Sequence, residues 1–267
     1  MRILFIITDY GSFNNFLGEV AIHLINKDNI VEVICSSYKV ISFDDKYQYE
    51  KLGVKFHFVN FPRGFNVIAQ YKASKVIARI VKEVNPDVIS IHFTTAMFTT
   101  LLLGRLKIAT IGTFHGLGYP IIGGVIRKGI FKVIEHICCK RLDQIWLLNN
   151  FDYNLLLKYY PKKVFLLQTN GLGCDLDKFN IQNFKKTDMD ELKHKLGVGD
   201  GDFVLTFTGR FVSFKGFSLV IKTFKYVIEE YKVSNVKLLL IGGKDSLHKT
   251  GLTDEEERWC NESENVI

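Results

Sequence analysis

Residues 2–19, RILFIITDYGSFNNFLGE, place an unbroken apolar run directly before a polar stretch and a second, mixed segment. Apolar residues without polar alternation are typical of a parallel strand that is covered on both faces. We therefore predict a strand over 2–8, a loop over 8–13, and a helix that starts near Asn14 or Asn15. This segment indicates an α/β fold, in which ligands bind beyond the carboxyl ends of the strands.

The loop after this strand contains two candidate ligand-binding residues, Gly11 and Ser12. A helix start at the carboxyl end of a strand attracts anions, because its first backbone N–H groups are unpaired. The dinucleotide fingerprint G-x-G-x-x-G is missing from the sequence, since the Gly-Leu-Gly segments at 116–118 and 171–173 both lack the third glycine. A plain tight turn is the simpler interpretation of this one glycine.

The strand pattern recurs along the chain. Further apolar runs predict strands at 30–36, 53–59, 87–93, 107–113, 144–149, 163–167, 202–208 and 235–241. Helical patterns lie between them, most clearly over 66–84, where apolar residues fall on one side and Lys and Arg on the other. Strands that alternate with helices predict doubly wound parallel sheets with right-handed crossovers.

The alternation of strands and helices pauses at 168–187, a stretch rich in Asn, Gly and Asp that we interpret as a linker. We expect one domain over 1–167 and a second over 188–267. The second has helices near 188–196, 216–231 and 252–263 but only two predicted strands, so we expect it to be the incomplete half of a Rossmann-like domain. A length of 267 residues fits such a division.

The formal charge of +7 belongs to the first part of the chain. Residues 1–165 contain 21 Lys and Arg against 12 Asp and Glu, which gives +9, and residues 166–267 contain 14 against 16, which gives −2. The five cysteines form no C-x-x-C pair and predict neither zinc nor a disulfide framework. We find no signal peptide and no span of about 20 apolar residues. We expect a cytoplasmic protein.

One predicted helix carries much of the basic charge. Its basic residues are Arg127, Lys128, Lys132, Lys140 and Arg141, and its predicted core stripe is Ile126, Ile130, Val133, Ile134 and Ile137. Such charges usually form a solvated face; the alternative is peripheral contact with an anionic membrane. Nucleic acid is not an expected partner, because no recognition motif accompanies the basic residues.

His115 follows the strand at 107–113 and precedes Gly116 and Gly118. A histidine at a strand's carboxyl end, with glycines that leave room for a ligand, is well placed to bind a substrate; a loop histidine with a structural partner is an equal alternative. The other histidines, including His92 within a strand, are better explained as packed or surface residues. No His, Asp or Glu set has metal-ligand spacing.

Residues 209–216, GRFVSFKG, follow the strand at 202–208 and open a helix. Arg210 and Lys215 bracket this loop, so that two cations and a helix N-terminus could hold one phosphate or diphosphate. This is not a Walker A loop. A weaker candidate is the loop with Gly242, Gly243 and Asp245 after the next strand.

These segments together are similar to the retaining, nucleotide-sugar-dependent glycosyltransferases of the GT-B fold, glycosyltransferase family 4. The resemblance covers nearly the whole chain and is carried by RILFIITDYGSFNNFLGE, TFHG, NGLGCDLDKF and, most specifically, GRF-x-x-x-KG followed by VKLLLIGG. It departs from the family at Gly11-Ser12, where Gly-Gly is frequent, and at Cys174, where Val is commoner.

The resemblance implies that Arg210 and Lys215 hold the diphosphate of a nucleotide-sugar donor, that His115 lies beside the donor sugar, and that Gly11 lines a cleft near the acceptor. It implies no cofactor and no metal, because side chains and helix N-termini replace Mg²⁺. The expected acceptor is a glycan or an undecaprenyl-diphosphate-linked sugar in bacterial capsule, O-antigen or exopolysaccharide synthesis, at the inner face of the plasma membrane.

One family feature is missing. Family members carry two glutamates, E-x7-E, late in the second domain. The late glutamates of this chain lie in a different element, before the strand that is predicted to begin at Val266. The sequence therefore leaves two alternatives to an active transferase open. One is a non-catalytic fragment or pseudoenzyme, and the other is a GT-B-like sugar epimerase, which fits GRF-x-x-x-KG less well.

Overall fold

The computed structural model describes residues 1–38, 48–62, 64, 66–168, 173–244 and 249–267. The chain forms two compact units, Met1–Cys174 and Asp175–Ile267. The boundary falls inside the predicted linker. Residues 169–172 of that linker and Asp245 of the last candidate loop lie outside the described residues.

Unit 1 contains seven described strands, in the order that the sequence predicts. They are β1 Arg2–Asp9, β2 Ile30–Ser36, β3 Lys55–Phe58, β4 Val88–His92, β5 Ala109–Phe114, β6 Gln144–Leu147 and β7 Val164–Leu166. The helices are α1 Tyr10–Phe16, α2 Gly18–Ile25, α3 Val67–Val84, α4 Thr94–Leu101, α5 Val125–Arg141 and α6 Asn150–Leu157. The predicted strands are confirmed, with ends that shift by one or two residues.

All seven strands are parallel, in the spatial order β3-β2-β1-β4-β5-β6-β7. Helices cover both faces of the sheet. Alternate side chains of β1 therefore enter different cores: Leu4 and Ile6 join one cluster, whereas Ile3 and Phe5 join the other. Strands β2 and β3 are added on one side of β1, and β4 to β7 are added on its other side, so the order of the strands reverses between β1 and β4. This switch point is where open α/β sheets bind ligands, and the predicted α/β fold class is confirmed.

The start of the first helix differs from the prediction. The stretch expected to be a loop is the first turn of α1, which begins at Tyr10 directly after β1. The Asp9 carboxylate caps this helix by accepting the Ser12 N–H at 2.9 Å and the Ser12 hydroxyl at 3.0 Å. A side-chain cap supplies the acceptor that a helix start lacks. The helix therefore starts four residues before Asn14.

The predicted core stripe of α5 is also wrong in its first three members. Ile126, Ile130 and Val133 are exposed, and the buried residues of this helix are Glu135, Cys138 and Cys139. The reason is that the Glu135 carboxylate accepts hydrogen bonds from the backbone inside unit 1, so the side of the helix that carries Glu135 faces inward. Since Glu135 lies nine positions after Ile126, the two side chains leave opposite sides of the helix.

Unit 2 contains a two-stranded parallel sheet formed by β8 Phe203–Thr208 and β9 Val236–Ile241. Its helices are α7 Lys186–Lys195, α8 Phe217–Tyr231 and α9 Asp254–Glu262. The core is Phe217, Ile221, Phe224 and Leu238. Val266 forms a parallel bridge with Leu238, as the apolar chain end predicts. Most of β8 is exposed.

The carboxyl ends of β8 and β9 approach each other closely at two glycines. Gly209 follows β8 and Gly242 follows β9, and a Cβ atom on Gly242 would lie 1.9 Å from the Gly209 carbonyl oxygen. Gly242 also has φ +151°, which side chains other than that of glycine rarely allow. The neighbouring Gly243 has open space at its Cβ position.

We expect Gly242→Ala to lower the free energy of unfolding of unit 2 by about 2–4 kcal/mol, because the added methyl group overlaps backbone and the φ angle is strained. Gly243→Ala is the matched control and should change it by less than about 1 kcal/mol. Thermal unfolding followed by Trp259 fluorescence in a Trp146→Phe background measures unit 2. Equal stabilities of the two variants would contradict the close approach.

Candidate functional site

A cavity of about 410 Å³ lies at the switch point between β1 and β4. Its walls carry hydroxyl, amide and carboxylate groups and two aromatic rings, from Thr8, Asp9, Ser36, Tyr38, Asn60, Phe61 and Thr95. The candidate Ser12 is connected to this wall through its hydrogen bonds with Asp9. The Gly11 N–H points to the Tyr38 carbonyl oxygen at 3.5 Å. The chemistry of the walls suits a ligand with several hydroxyl groups.

His115 is held against a buried histidine at the end of the neighbouring strand. The Nε2 atom of His115 lies 3.1 Å from Nδ1 of His92, whose Nε2 atom lies 3.0 Å from the Ser90 hydroxyl. The His115 ring stacks on Phe93, with 4.2 Å between the ring centroids. These contacts fix the orientation of the imidazole before any ligand arrives.

Burial keeps both imidazoles neutral at physiological pH. Desolvation lowers the pKa of His92 to about 3, with a smaller contribution from the neighbouring His115, and lowers the pKa of His115 to about 4. In a neutral imidazole one ring nitrogen donates a hydrogen bond and the other accepts one. Whether Nδ1 of His92 carries a proton therefore decides whether Nε2 of His115 accepts or donates in their contact. The neutral His115 can hydrogen-bond a sugar hydroxyl but is not a cation.

The loop after His115 is fixed by two buried carboxylates. Glu135 on α5 accepts the N–H groups of Gly118 at 2.8 Å and Tyr119 at 3.2 Å, and Asp152 on α6 accepts the Leu117 N–H at 3.0 Å. Three successive amides are thus occupied by protein carboxylates. These three amides are therefore not open to an anionic ligand, and the loop is held in place beside His115.

Glu135 is the central acceptor of this arrangement. It also accepts the hydroxyl proton of Thr94 at 2.8 Å, at the start of α4. Burial raises the pKa of Glu135, and the hydrogen bonds from Gly118, Thr94 and Tyr119 act in the opposite direction. Gly116, the candidate next to His115, has φ +139° and open space at its Cβ position, so it leaves room beside the imidazole.

Sequence reasoning missed Glu135, Asp152 and His92 as site residues. Each lies inside a helical or strand pattern that predicts only packing or a surface position. A charged residue within an otherwise apolar and basic helix is the one signal that could have singled out Glu135. His92 could be recognised only from the sheet order, which places β4 beside β5 and pairs His92 with Thr113.

In unit 2, the loop between β8 and α8 carries Arg210 and Lys215, both exposed. The Arg210 guanidinium lies over the Phe214 ring, 5.4 Å from its centroid. Residues Ser213–Lys215 form a short 3₁₀ helix, and Gly216, with φ 79°, precedes α8. The structure therefore places both cations in the segment that leads into the helix start.

Most backbone N–H groups of this loop already have acceptors. Phe211 donates to the Gly243 carbonyl at 2.8 Å, Ser213 to Lys249 at 3.1 Å and Lys215 to Val212 at 3.0 Å. Among the described residues, no side chain caps α8. The donors left for an anion are those of the first turn of α8, because a helix start leaves its first N–H groups unpaired.

The candidates thus form two sets. Gly11, Ser12, His115 and Gly116 belong to unit 1; Arg210, Lys215, Gly242 and Gly243 belong to unit 2. Gly242 serves the close approach of β8 and β9, and Gly243 anchors the Arg210 loop through its carbonyl oxygen. Within the described ranges, no group of three His, Cys, Asp or Glu side chains could hold a metal ion.

The model of Glycosyltransferase Family 4 matches residues 14–167, which is most of unit 1. The chain belongs to Glycosyltransferase Family 4. The family that the sequence resembles is thereby confirmed. No curated protein matches this family 4 chain.

Solved structures similar to this family 4 chain have the GT-B fold. A glycosyltransferase from Rickettsia africae ESF-5 matches with a TM-score of 0.70 and 17% identity, over 100% of this chain and 67% of that one. Sucrose-phosphate synthase from Thermosynechococcus elongatus matches at 0.69 and 13%, over 100% and 70%. UDP-GlcNAc 2-epimerase from Neisseria meningitidis, bound to UDP-GlcNAc, matches at 0.65 and 12%, over 100% and 71%. At these identities the similarity shows the fold.

We expect the buried His92 to make the stability of unit 1 depend on pH. The pKa of His92 is lower in the folded chain than the value of about 6.5 in an unfolded one. The unfolded chain therefore binds more protons between pH 6.5 and the folded pKa, and the free energy of unfolding falls as pH falls through this range. His92→Asn should reduce the slope by up to about 1.4 kcal/mol per pH unit between pH 6 and 5.

Urea unfolding at several pH values measures this slope. Trp146 fluorescence in a Trp259→Phe background reports unit 1. Asn can place its amide nitrogen near the position of Nδ1, so the variant removes the titration while it keeps a partner for His115. His194→Asn, at an exposed position in unit 2, is the control. An unchanged slope in His92→Asn would refute the effect of burial.

Proposed function

We propose that this family 4 chain transfers a sugar from a nucleotide-diphosphate donor to a glycan or an undecaprenyl-diphosphate-linked acceptor, with retention at the anomeric carbon. The setting that we propose is the synthesis of bacterial capsule, O-antigen or exopolysaccharide at the cytoplasmic face of the plasma membrane. The observation that carries the proposal is the pair Arg210 and Lys215 beside the start of α8, which no side chain of the described residues caps.

The donor diphosphate has a chemical reason to bind there. Negative charge develops on the diphosphate as the bond between the anomeric carbon and the phosphate oxygen breaks, and fixed positive groups stabilise the charge most where it grows. Arg210 and Lys215 supply two cations, and the helix start adds N–H donors and the positive end of the helix dipole. This set does the work of Mg²⁺, so we propose metal-independent transfer.

We assign the acceptor to unit 1. The cavity lined by Thr8, Asp9, Ser36 and Asn60 presents donors and acceptors suited to sugar hydroxyls. The neutral His115 hydrogen-bonds the donor sugar. In the retaining step the acceptor oxygen bonds to the anomeric carbon on the face that the phosphate leaves, and the departing phosphate oxygen takes the acceptor's proton.

Replacing the two cations tests the donor site. We expect Arg210→Ala and Lys215→Ala each to weaken UDP or GDP binding roughly ten- to hundredfold, because each removes a charge-assisted contact to the diphosphate. Isothermal titration calorimetry measures the affinity. Lys195→Ala on α7, also an exposed cation of unit 2, should bind like the original chain.

The same titration in EDTA tests the proposed metal independence, and we expect no change in affinity. The donor site is refuted if the original chain binds neither nucleotide, or if both loop variants bind as tightly as Lys195→Ala. The proposal then loses the observation that supports it.

A second candidate function is epimerisation of a nucleotide sugar. It is favoured by one observation, the UDP-GlcNAc 2-epimerases among the similar folds. The family match over 14–167 favours transfer. A non-catalytic role, the remaining alternative, requires that no sugar is transferred or rearranged.

The products of a donor screen separate these functions. We expect NMR to show the sugar on an added acceptor with the anomeric configuration of the donor. A nucleotide sugar altered within its ring, in the absence of acceptor, would instead establish an epimerase. If no donor reacts although nucleotide binds, the non-catalytic role is correct.

A further inference from the structure

Helix α5 presents an apolar face to solvent in its first half. Val125 is 89% exposed, Ile126 79% and Val133 59%, and Ile130 is exposed between them. Ile126, Ile130 and Val133 follow one another at spacings of four and three, so they lie on one side of the helix. A surface helix of a globular protein normally turns this stripe inward. Ile121, four residues before the helix, is also 83% exposed.

The apolar stripe has positive charges beside it. Arg127, Lys128 and Lys132 are exposed, and residues 121–134 contain no Asp or Glu. The first carboxylate after this segment, Glu135, is buried and bonded to the loop that follows His115. The segment therefore has a local charge of +3, and no carboxylate of its own reduces it.

The start of α3 has the same character. Val67 and Ile68 are 72% and 70% exposed, and Lys72 and Lys75 are exposed one and two turns later. Helices α3 and α5 both pack against α4, so the three form one layer on the sheet. Both long helices end within a few residues of a strand's start. Their own starts therefore lie toward the carboxyl edge of the sheet, the edge of His115.

We infer that these two helix starts form a membrane-docking surface that binds an anionic lipid bilayer. The surface comprises Val67, Ile68, Lys72, Lys75, Ile121, Val125, Ile126, Arg127, Lys128, Ile130, Lys132 and Val133. Apolar side chains enter the boundary between headgroups and acyl chains, and the cations face anionic headgroups. No helix that the structure describes is long and apolar enough to cross a bilayer, so the contact is peripheral.

Charge selects the bilayer over a second copy of the chain. A twofold contact through this surface would bring two sets of Arg127, Lys128 and Lys132 together, which like-charge repulsion opposes. Anionic lipid supplies opposite charge and apolar depth in one partner. The binding of the surface to a bilayer does not depend on the proposed function. Only its purpose does, which is to bring a lipid-linked acceptor to the edge of the sheet where His115 lies.

Vesicle co-sedimentation of the full chain tests the surface. The probes are vesicles of phosphatidylcholine alone and of phosphatidylcholine mixed with phosphatidylglycerol, without donor or acceptor. We expect binding to the mixed vesicles only, weakened by salt because screening reduces the attraction of exposed charges. Arg127→Gln with Lys128→Gln should lower the partition coefficient roughly twentyfold, and Ile126→Ser roughly tenfold.

Two control variants make the same change in charge or in apolar side chains outside the docking surface. Lys193→Gln with Lys195→Gln removes two exposed charges from unit 2, and Leu176→Ser removes an apolar side chain that is 79% exposed, like Ile126. Both should bind like the original chain. All the changed positions are exposed, and circular dichroism verifies that each variant is folded.

The inference is overturned if the chain ignores the mixed vesicles, or if surface and control variants bind alike. It is also overturned if light scattering finds a dimer that Ile126→Ser dissociates, since a second copy would then cover the surface. Nucleotide binding measured on Ile126→Ser separates the two proposals. Retained UDP or GDP affinity with lost vesicle binding supports the docking surface, and the donor site is judged by its own variants.

Discussion

The hydrogen bonds to the buried Glu135 carboxylate are the interactions on which the geometry of the candidate site in unit 1 depends. The carboxylate accepts two successive backbone N–H groups and the Thr94 hydroxyl, and a buried carboxylate without such donors would be strongly unfavourable. The helix that carries it must therefore rotate so that Glu135 faces the sheet. This requirement fixes the loop after His115 and also turns Ile126, Ile130 and Val133 outward.

The two units use different means to prepare for a ligand. In unit 1 the carboxylates of Glu135 and Asp152 are buried and accept hydrogen bonds from protein amides, and the side chain that we propose for ligand contact is a neutral imidazole held by a second one. In unit 2 the loop amides are occupied by carbonyl groups, while the charged side chains are exposed. The anion binding that we propose for this unit uses Arg210, Lys215 and the first turn of α8, and the loop backbone contributes rigidity.

The sheet of unit 1 explains why the candidate residues gather at one edge. Because β1 is buried on both faces, neither face offers a binding surface. The carboxyl edge remains, and there β1 and β4 lie side by side while their connections leave in opposite directions. The ends of these strands supply Asp9 to the cavity wall and His92 to the contact with His115.

The sequence by itself determined the strands, most helices and the parallel α/β fold, because unbroken apolar runs are local signals, and its motifs indicated the family. It also singled out His115, Arg210 and Lys215 as candidates. Only the tertiary structure decided that His92 supports His115 and that α5 faces outward with its apolar stripe. The physical reason is the partner each of these features needs. A neighbour for His115 and three donors for Glu135 are supplied by residues that become neighbours only when the chain folds, and periodicity along the chain carries no record of them.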